Sequence, residues 1–331
     1  MALRIFSDRL NHWPRAGSLL LLLATLQLAS CGGGGDSSAP VAAAPAPITT
    51  SASTAVNLSG LPGAPQATGD TATDGLNWFN YRRQMLGEQV LTRTATIDTA
   101  AQGHSRYQQI NDTITHEQIV GNPGFTGVTT GDRLTAAGYR FTRTSYGFGE
   151  VISSTTDASG FNAAEELITA IYHRFTIFEP MFRAAGAGSA VSPSGRTYFT
   201  VDMTADGLIT ALGKMRFLVY PADAQASVPT TFASDNEAPD PVPGRNLVGY
   251  PVSIHADLTS TVSVQSFTLR PRNGAVLAGT ILQNSSDTHT PASAAALIPL
   301  EVLAAGTTYD AQFIGTVDGA AVSRAWSFTT R

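Results

Sequence analysis

A single cysteine in 331 residues excludes an intramolecular disulfide, so packing and polar contacts alone must hold the fold. A single lysine, Lys214, with no basic cluster around it, excludes the cationic stripe that nucleic-acid binding requires. Charged side chains are scarce at 14%, against about a quarter in ordinary soluble chains. No HisGluXaaXaaHis run, no phosphate loop and no acceptable Ser–His–Asp or Cys–His nucleophile set can be read from the chain. The longest leucine-rich run, residues 19–26, is too short to anchor stably across a bilayer.

What is present begins with that run. It follows Arg4, Arg9 and Arg15, the order of a secretory leader, here residues 1–30. The leader ends Leu28, Ala29, Ser30, Cys31, which resembles a bacterial lipobox, and this explains why a secreted chain keeps one cysteine at this place. Membrane lipid attached through Cys31 is therefore the first expected partner. Acyl chains contribute about 0.8 kcal/mol per buried CH₂, and several together hold a protein on a membrane. Gly32 rather than Asp after the cysteine points, in a Gram-negative host, to the outer membrane of the cell envelope. Residues 31–70, rich in Gly, Ala, Pro and Ser, carry too little apolar bulk to offset chain entropy and read as a flexible tether.

Beyond the tether the length suits two domains. Helical spacing predicts helices over 72–89, stopped by Gly87, and over 96–111, with His104 on the inward stripe. A short helix is expected over 131–139, with Asp132 in its first turn and Gly138 at its end. A strand is expected over 141–154, a helix over 162–174 capped by Asn162, and a hairpin over 183–203 turning at 193–195. Proline density marks 206–245 as a linker. Short β-rich pieces between turn residues fill 246–331 and suit a small sandwich, with Tyr309 and Trp326 in its core. His255 and His289 read there as exposed residues without a role.

Two histidines and a carboxylate stand out for chemistry: His116, Glu150 and His173. Such a set can share one cation, or divide into an acid and a base. Their separation in sequence is too long for a local motif, so only a fold can unite them. In a continuous helix, Glu166 lies within about 20° of the face of His173 and Glu165 about 80° away, which makes Glu166 a further ligand-binding candidate.

The order of pieces also carries a resemblance. Asn80 to Gly87 opens a helix, AlaAlaGlnGlyHisSerArgTyr (100–107) follows, then His116, then AspArgLeuThrAlaAlaGlyTyr (132–139), then Gly149-Glu150 and His173-Arg174. This resembles the CAP superfamily, or SCP-like extracellular domain, in its bacterial branch, over residues 71–205. The ending from Tyr309 to Trp326 resembles bacterial immunoglobulin-like modules. The resemblance implies an α+β chain: a three-layer α-β-α CAP sandwich followed by an all-β immunoglobulin-like sandwich. It implies that His116 and His173 ligate a divalent cation, zinc being the natural choice, with Glu150 beside them. The chain departs from the family where Val151 replaces the Asn of GlyGluAsn, and where the Trp before HisArg is missing. The expected function is a lipid-anchored envelope protein that binds an extracellular or envelope ligand in this cleft without catalysis. The alternatives are a metal-assisted hydrolase of an envelope peptide or polymer, and an adhesive scaffold acting through the immunoglobulin-like part.

Overall fold

The computed structural model describes residues 58–331. The leader, Cys31 and the tether as far as residue 57 lie outside the described residues. Leu58–Arg331 fall in one compact unit, and among the described residues no helix is long and apolar enough to cross a membrane. The last part of the expected tether is folded. Leu58 is buried, Tyr81 donates to the Pro62 carbonyl, and Asp74 gathers the Thr68 and Gly69 amides.

The first half is built on helices with readable ends. Helix α1 (Thr71–Met85) starts at Asp70, whose side chain accepts from the Thr73 amide, and buries Leu76, Trp78 and Phe79. A two-residue strand β1 (Thr92–Arg93) leads to α2 (Ala95–Asn111). Helix α3 (Thr130–Ala136) has a reciprocal capping box between Thr129 and Asp132, which satisfies two amides left open at a helix start. Strand β2 (Tyr146–Thr155) begins later than its sequence suggests, because the amides of Thr142 and Arg143 go to the Asp206 carboxylate instead of a ladder. Next come α4 (Gly160–Thr169), α5 (Ile171–Ile177), β3 (Ala184–Val191) and β4 (Thr197–Asp206).

These strands form one sheet in the order β1-β3-β4-β2. Helix α2 lies on one face, where a Cβ at Gly186 or Gly188 would meet the backbone of Ile97, Asp98 and Gln102. Helix α1 packs on the opposite face, with Gly75 against the Phe199 ring, and α4 packs on α1. The three-layer α-β-α expectation therefore matches this half.

The single helix expected over 162–174 is two helices. Ala170, with ψ 117, ends α4 and begins α5, and Ser159 rather than Asn162 caps the first. No proline or glycine causes the break, so partners of the freed backbone groups must stabilise it. Arg174 reaches back from α5, and its Nε donates to the Ile168 carbonyl at 2.6 Å. Glu237 accepts the Tyr172 amide at 2.9 Å.

Glu237 comes from the segment expected to be a linker, and that reading needs correction. Residues 206–245 contain β5 (Leu218–Tyr220), β6 (Gln225–Val228) and β7 (Thr231–Ala233). Strands β8 (Leu247–Gly249), β9 (Val252–His255), β10 (Val262–Pro271), β11 (Gly279–Gln283), β12 (Ala294–Pro299), β13 (Thr308–Val317) and β14 (Ala320–Thr330) follow. The sheets are β10-β13-β14-β6 and β11-β12-β9-β5, with a small β7-β8 pair. The segment's prolines sit at strand ends and bends, where no ladder amide is needed. Tyr309 and Trp326 are buried, as expected.

Helix α5 belongs to both halves. Ile171, Tyr172 and Phe175 share a core with Phe232, Val248, Leu282, Ala296 and Ile298. His255, expected to be exposed, is 2% exposed, with its ring 5.8 Å from Phe175 and 5.7 Å from Phe178. That burial lowers its pKa to about 3. His289 is exposed, as its sequence context suggests.

Candidate ligand site around His116

The site is assembled from the α2 side of the sheet. His104 faces inward from α2 with no exposed surface. Its Nε2 lies 2.7 Å from the Thr115 carbonyl, which can only accept. Its Nδ1 lies 2.9 Å from the Gln118 amide nitrogen, which can only donate. The two partners fix one tautomer, with the proton on Nε2. Burial lowers the His104 pKa to about 4, although Glu150 pulls the other way. His104 is thus the structural residue that its helical stripe suggests, and it pins the loop carrying His116.

His116 places Nδ1 2.8 Å from Glu150 Oε1, and its side chain is 16% exposed. Arg133 from α3 holds the other carboxylate oxygen at 2.5 Å through Nη2, and its Nη1 donates to the His116 carbonyl at 3.0 Å. One guanidinium therefore holds both the acid and the backbone of the histidine. Burial works to raise the Glu150 pKa, but Arg133, His104 and the His116 hydrogen bond outweigh it. The result lies below the ordinary carboxylate range, and Glu150 stays ionised.

Behind Glu150, directly across the β2–β4 ladder, stands Asp202. It is fully buried, and neither carboxylate oxygen has a protein donor. Burial and the neighbouring Glu150 charge push its pKa well above the usual value, with Arg133 opposing.

His173 does not join this cluster. Its Nδ1 lies 2.9 Å from Glu237 Oε1, and its side chain is 6% exposed. The expected companion Glu166 is exposed, whereas Glu165 is buried. Glu165 is held by Arg82 at 3.0 Å and by the Trp78 indole at 2.6 Å. The helical phase argument fails because it assumed one continuous helix through Ala170.

Among the described residues no group of three or more His, Cys, Asp or Glu is arranged to hold a metal ion. The two histidines expected to meet on one cation point instead to different carboxylates. The Arg133 guanidinium already occupies the cationic place beside Glu150. Each histidine of the expected metal pair thus bonds its own carboxylate through Nδ1, Glu150 for His116 and Glu237 for His173.

The residues that sequence reasoning missed are Arg133, Asp202, Arg174 and Glu237. Arg133 lay in a recognised motif but had no role assigned. Asp202 had a visible signal, an acid at an inward position of the alternating run Thr200 to Met203. Glu237 had none, since only the fold brings it to α5.

Residues 76–203 match the family model CAP: Cysteine-rich secretory protein family, less than half of the chain and almost the span of the motif resemblance. No curated protein matches the chain. Among solved structures, an extracellular protein containing a SCP domain from Bacillus anthracis str. Ames is 21% identical, over 41% of this chain and 40% of its own, with a TM-score of 0.34. An outer surface protein from Borrelia burgdorferi is 15% identical, over 39% of this chain and 88% of its own, with a TM-score of 0.33. The chain thus spans well under two thirds of the Bacillus protein, and likenesses at these scores carry no argument. The family match and the α-β-α layers support a CAP-type first half.

Proposed function

From a CAP-like first half sharing a core with a β-rich second half, we propose a lipid-anchored envelope protein that binds its ligand at the His116 edge without a metal ion. The anchor is Cys31 and the location is the outer membrane of the cell envelope, both carried by the leader and lipobox pattern. The β-rich half, immunoglobulin-like by its ending, holds α5 through the shared core. The observation that carries this reading is the charge closure of the site. Arg133 and His116 occupy the Glu150 carboxylate, which leaves the edge of the His116 imidazole as the reachable polar group. A second reading follows from the same hydrogen bond: a carboxylate on Nδ1 is how a histidine is oriented as a general base, so a hydrolase routed through His116 remains the alternative.

The test is retention of fractionated envelope polymers and peptides by the immobilised protein. Retention is expected to fall at least about tenfold in His116→Ala, to survive a chelator, and to release no cleaved product. Retention unaffected by His116→Ala would contradict the reading, and a product released only by the wild type would favour the hydrolase.

A further inference from the structure

The group that this reading leaves unused is Asp202. It is fully buried opposite Glu150 in the β2–β4 register, and cross-strand neighbours on one face stand about 5 Å apart. Its β3 neighbour in the ladder is Gly186, which offers no side chain. The titratable and charged groups facing it are Glu150 on β2 and Arg133 on α3, with His104 on α2 and His116 beyond Glu150. Arg133 directs its guanidinium to Glu150, Thr130 and the loop carbonyls, so it gives Asp202 no hydrogen bond. An ionised Asp202 would be a second buried negative charge beside an ionised Glu150, with no donor on either oxygen. Such an arrangement costs several kcal/mol unless the group takes up a proton.

Resting on the reading that His116 is the ligand-facing group, we propose that Asp202 is a positioning residue that keeps its proton at neutral pH and donates it to Glu150. The shared proton turns two orphaned acceptors into a donor and an acceptor. It leaves one negative charge for one guanidinium, and it fixes the Glu150 carboxylate with Oε1 toward His116. An ionised carboxylate can only accept, so Nδ1 of His116 carries the proton in that bond. No protein group bonds Nε2 among the described residues, and this is the nitrogen left for a ligand.

The sign of the pH dependence follows. The folded protein holds this proton to higher pH than the unfolded chain, whose aspartate titrates near 3.9. The contribution is therefore complete below that value and declines as pH rises toward the folded pKa. Asp202→Asn, whose amide donates at every pH, should gain stability relative to wild type as pH rises through that window.

The experiment is infrared difference spectroscopy of the full mature chain at pH 7, wild type minus Asp202→Asn. Subtraction removes the bands of Glu88 and Glu179, which burial raises to about 8. Nitrogen-15 NMR reads which nitrogen of His116 is protonated, in wild type, Asp202→Asn and Asp202→Leu. The expected result is a protonated-carboxyl band lost in Asp202→Asn, with His116 protonated on Nδ1 in wild type and Asn. The leucine variant, which cannot donate, should lose that preference. A difference spectrum holding only ionised-carboxylate bands overturns the proposal, and so does an unchanged His116 preference in Asp202→Leu. Should the leucine variant not fold, the infrared arm still decides. Neither readout needs a ligand, so failure of His116 to bind one would sink the functional reading and leave this proposal standing.

Discussion

Arg174→Ala should destabilise the protein by roughly 3 to 5 kcal/mol, a large loss for a single side chain. The residue is fully buried and joins three structures. It donates to the Ile168 carbonyl at the end of α4 and to the Pro251 carbonyl of the second half at 2.7 Å. Its guanidinium carbon lies 4.9 Å and 4.8 Å from the rings of Tyr220 and Tyr250. Alanine leaves two buried carbonyls without donors and opens a void between two tyrosines, and each effect is unfavourable. Lysine should rescue little, because a point charge cannot fork between carbonyls and stack on two faces. The check is the urea midpoint of wild type, Arg174→Ala and Arg174→Lys, with limited proteolysis alongside. Wild type should resist cleavage across 206–245, and the alanine variant should be cut there. Equal resistance in all three would show that the shared core around α5 suffices without the arginine.

The second large effect is at the site itself. Arg133→Ala removes the guanidinium that pairs with a buried carboxylate and is expected to cost about 3 to 5 kcal/mol, the usual range for breaking a buried pair. Because Arg133 also donates to the His116 carbonyl, the loop should loosen and the His116–Glu150 bond should weaken. Adding Glu150→Gln to that variant should restore part of the stability, since the uncompensated charge is then gone. Denaturation of the two single variants and the double variant gives the coupling energy directly. Additive losses would mean that the pair does not act as a unit.

The first half was legible because its signals are local. The helical spacing over 72–89, the acid Asp132 in the first turn of α3 and the alternation of 183–203 each act within a few residues, and each was read near its true place. The error over 162–174 has a different origin. Nothing in the sequence near Ala170 breaks a helix, and the break exists because Arg174 and Glu237 satisfy the groups it frees. One of those partners lies more than sixty residues downstream, beyond any window of periodicity. The same distant acid bonds His173 through Nδ1. His116 and Glu150 were found and are hydrogen-bonded, whereas Arg133 was seen only as part of a motif. The linker reading failed because proline density marks bends between short strands as well as linkers, and only pairing partners distinguish the two.

The central claim is that Glu150 is closed by Arg133 and His116 while His173 bonds Glu237, the arrangement on which the proposed metal-free ligand site rests. The measurement that tests it most directly is calorimetric titration of zinc into the full mature chain near pH 7, repeated with the His116→Ala, His173→Ala double variant. The account predicts no stoichiometric binding step that the double substitution removes. One zinc bound per chain in the wild type, and lost in the double variant, would contradict it.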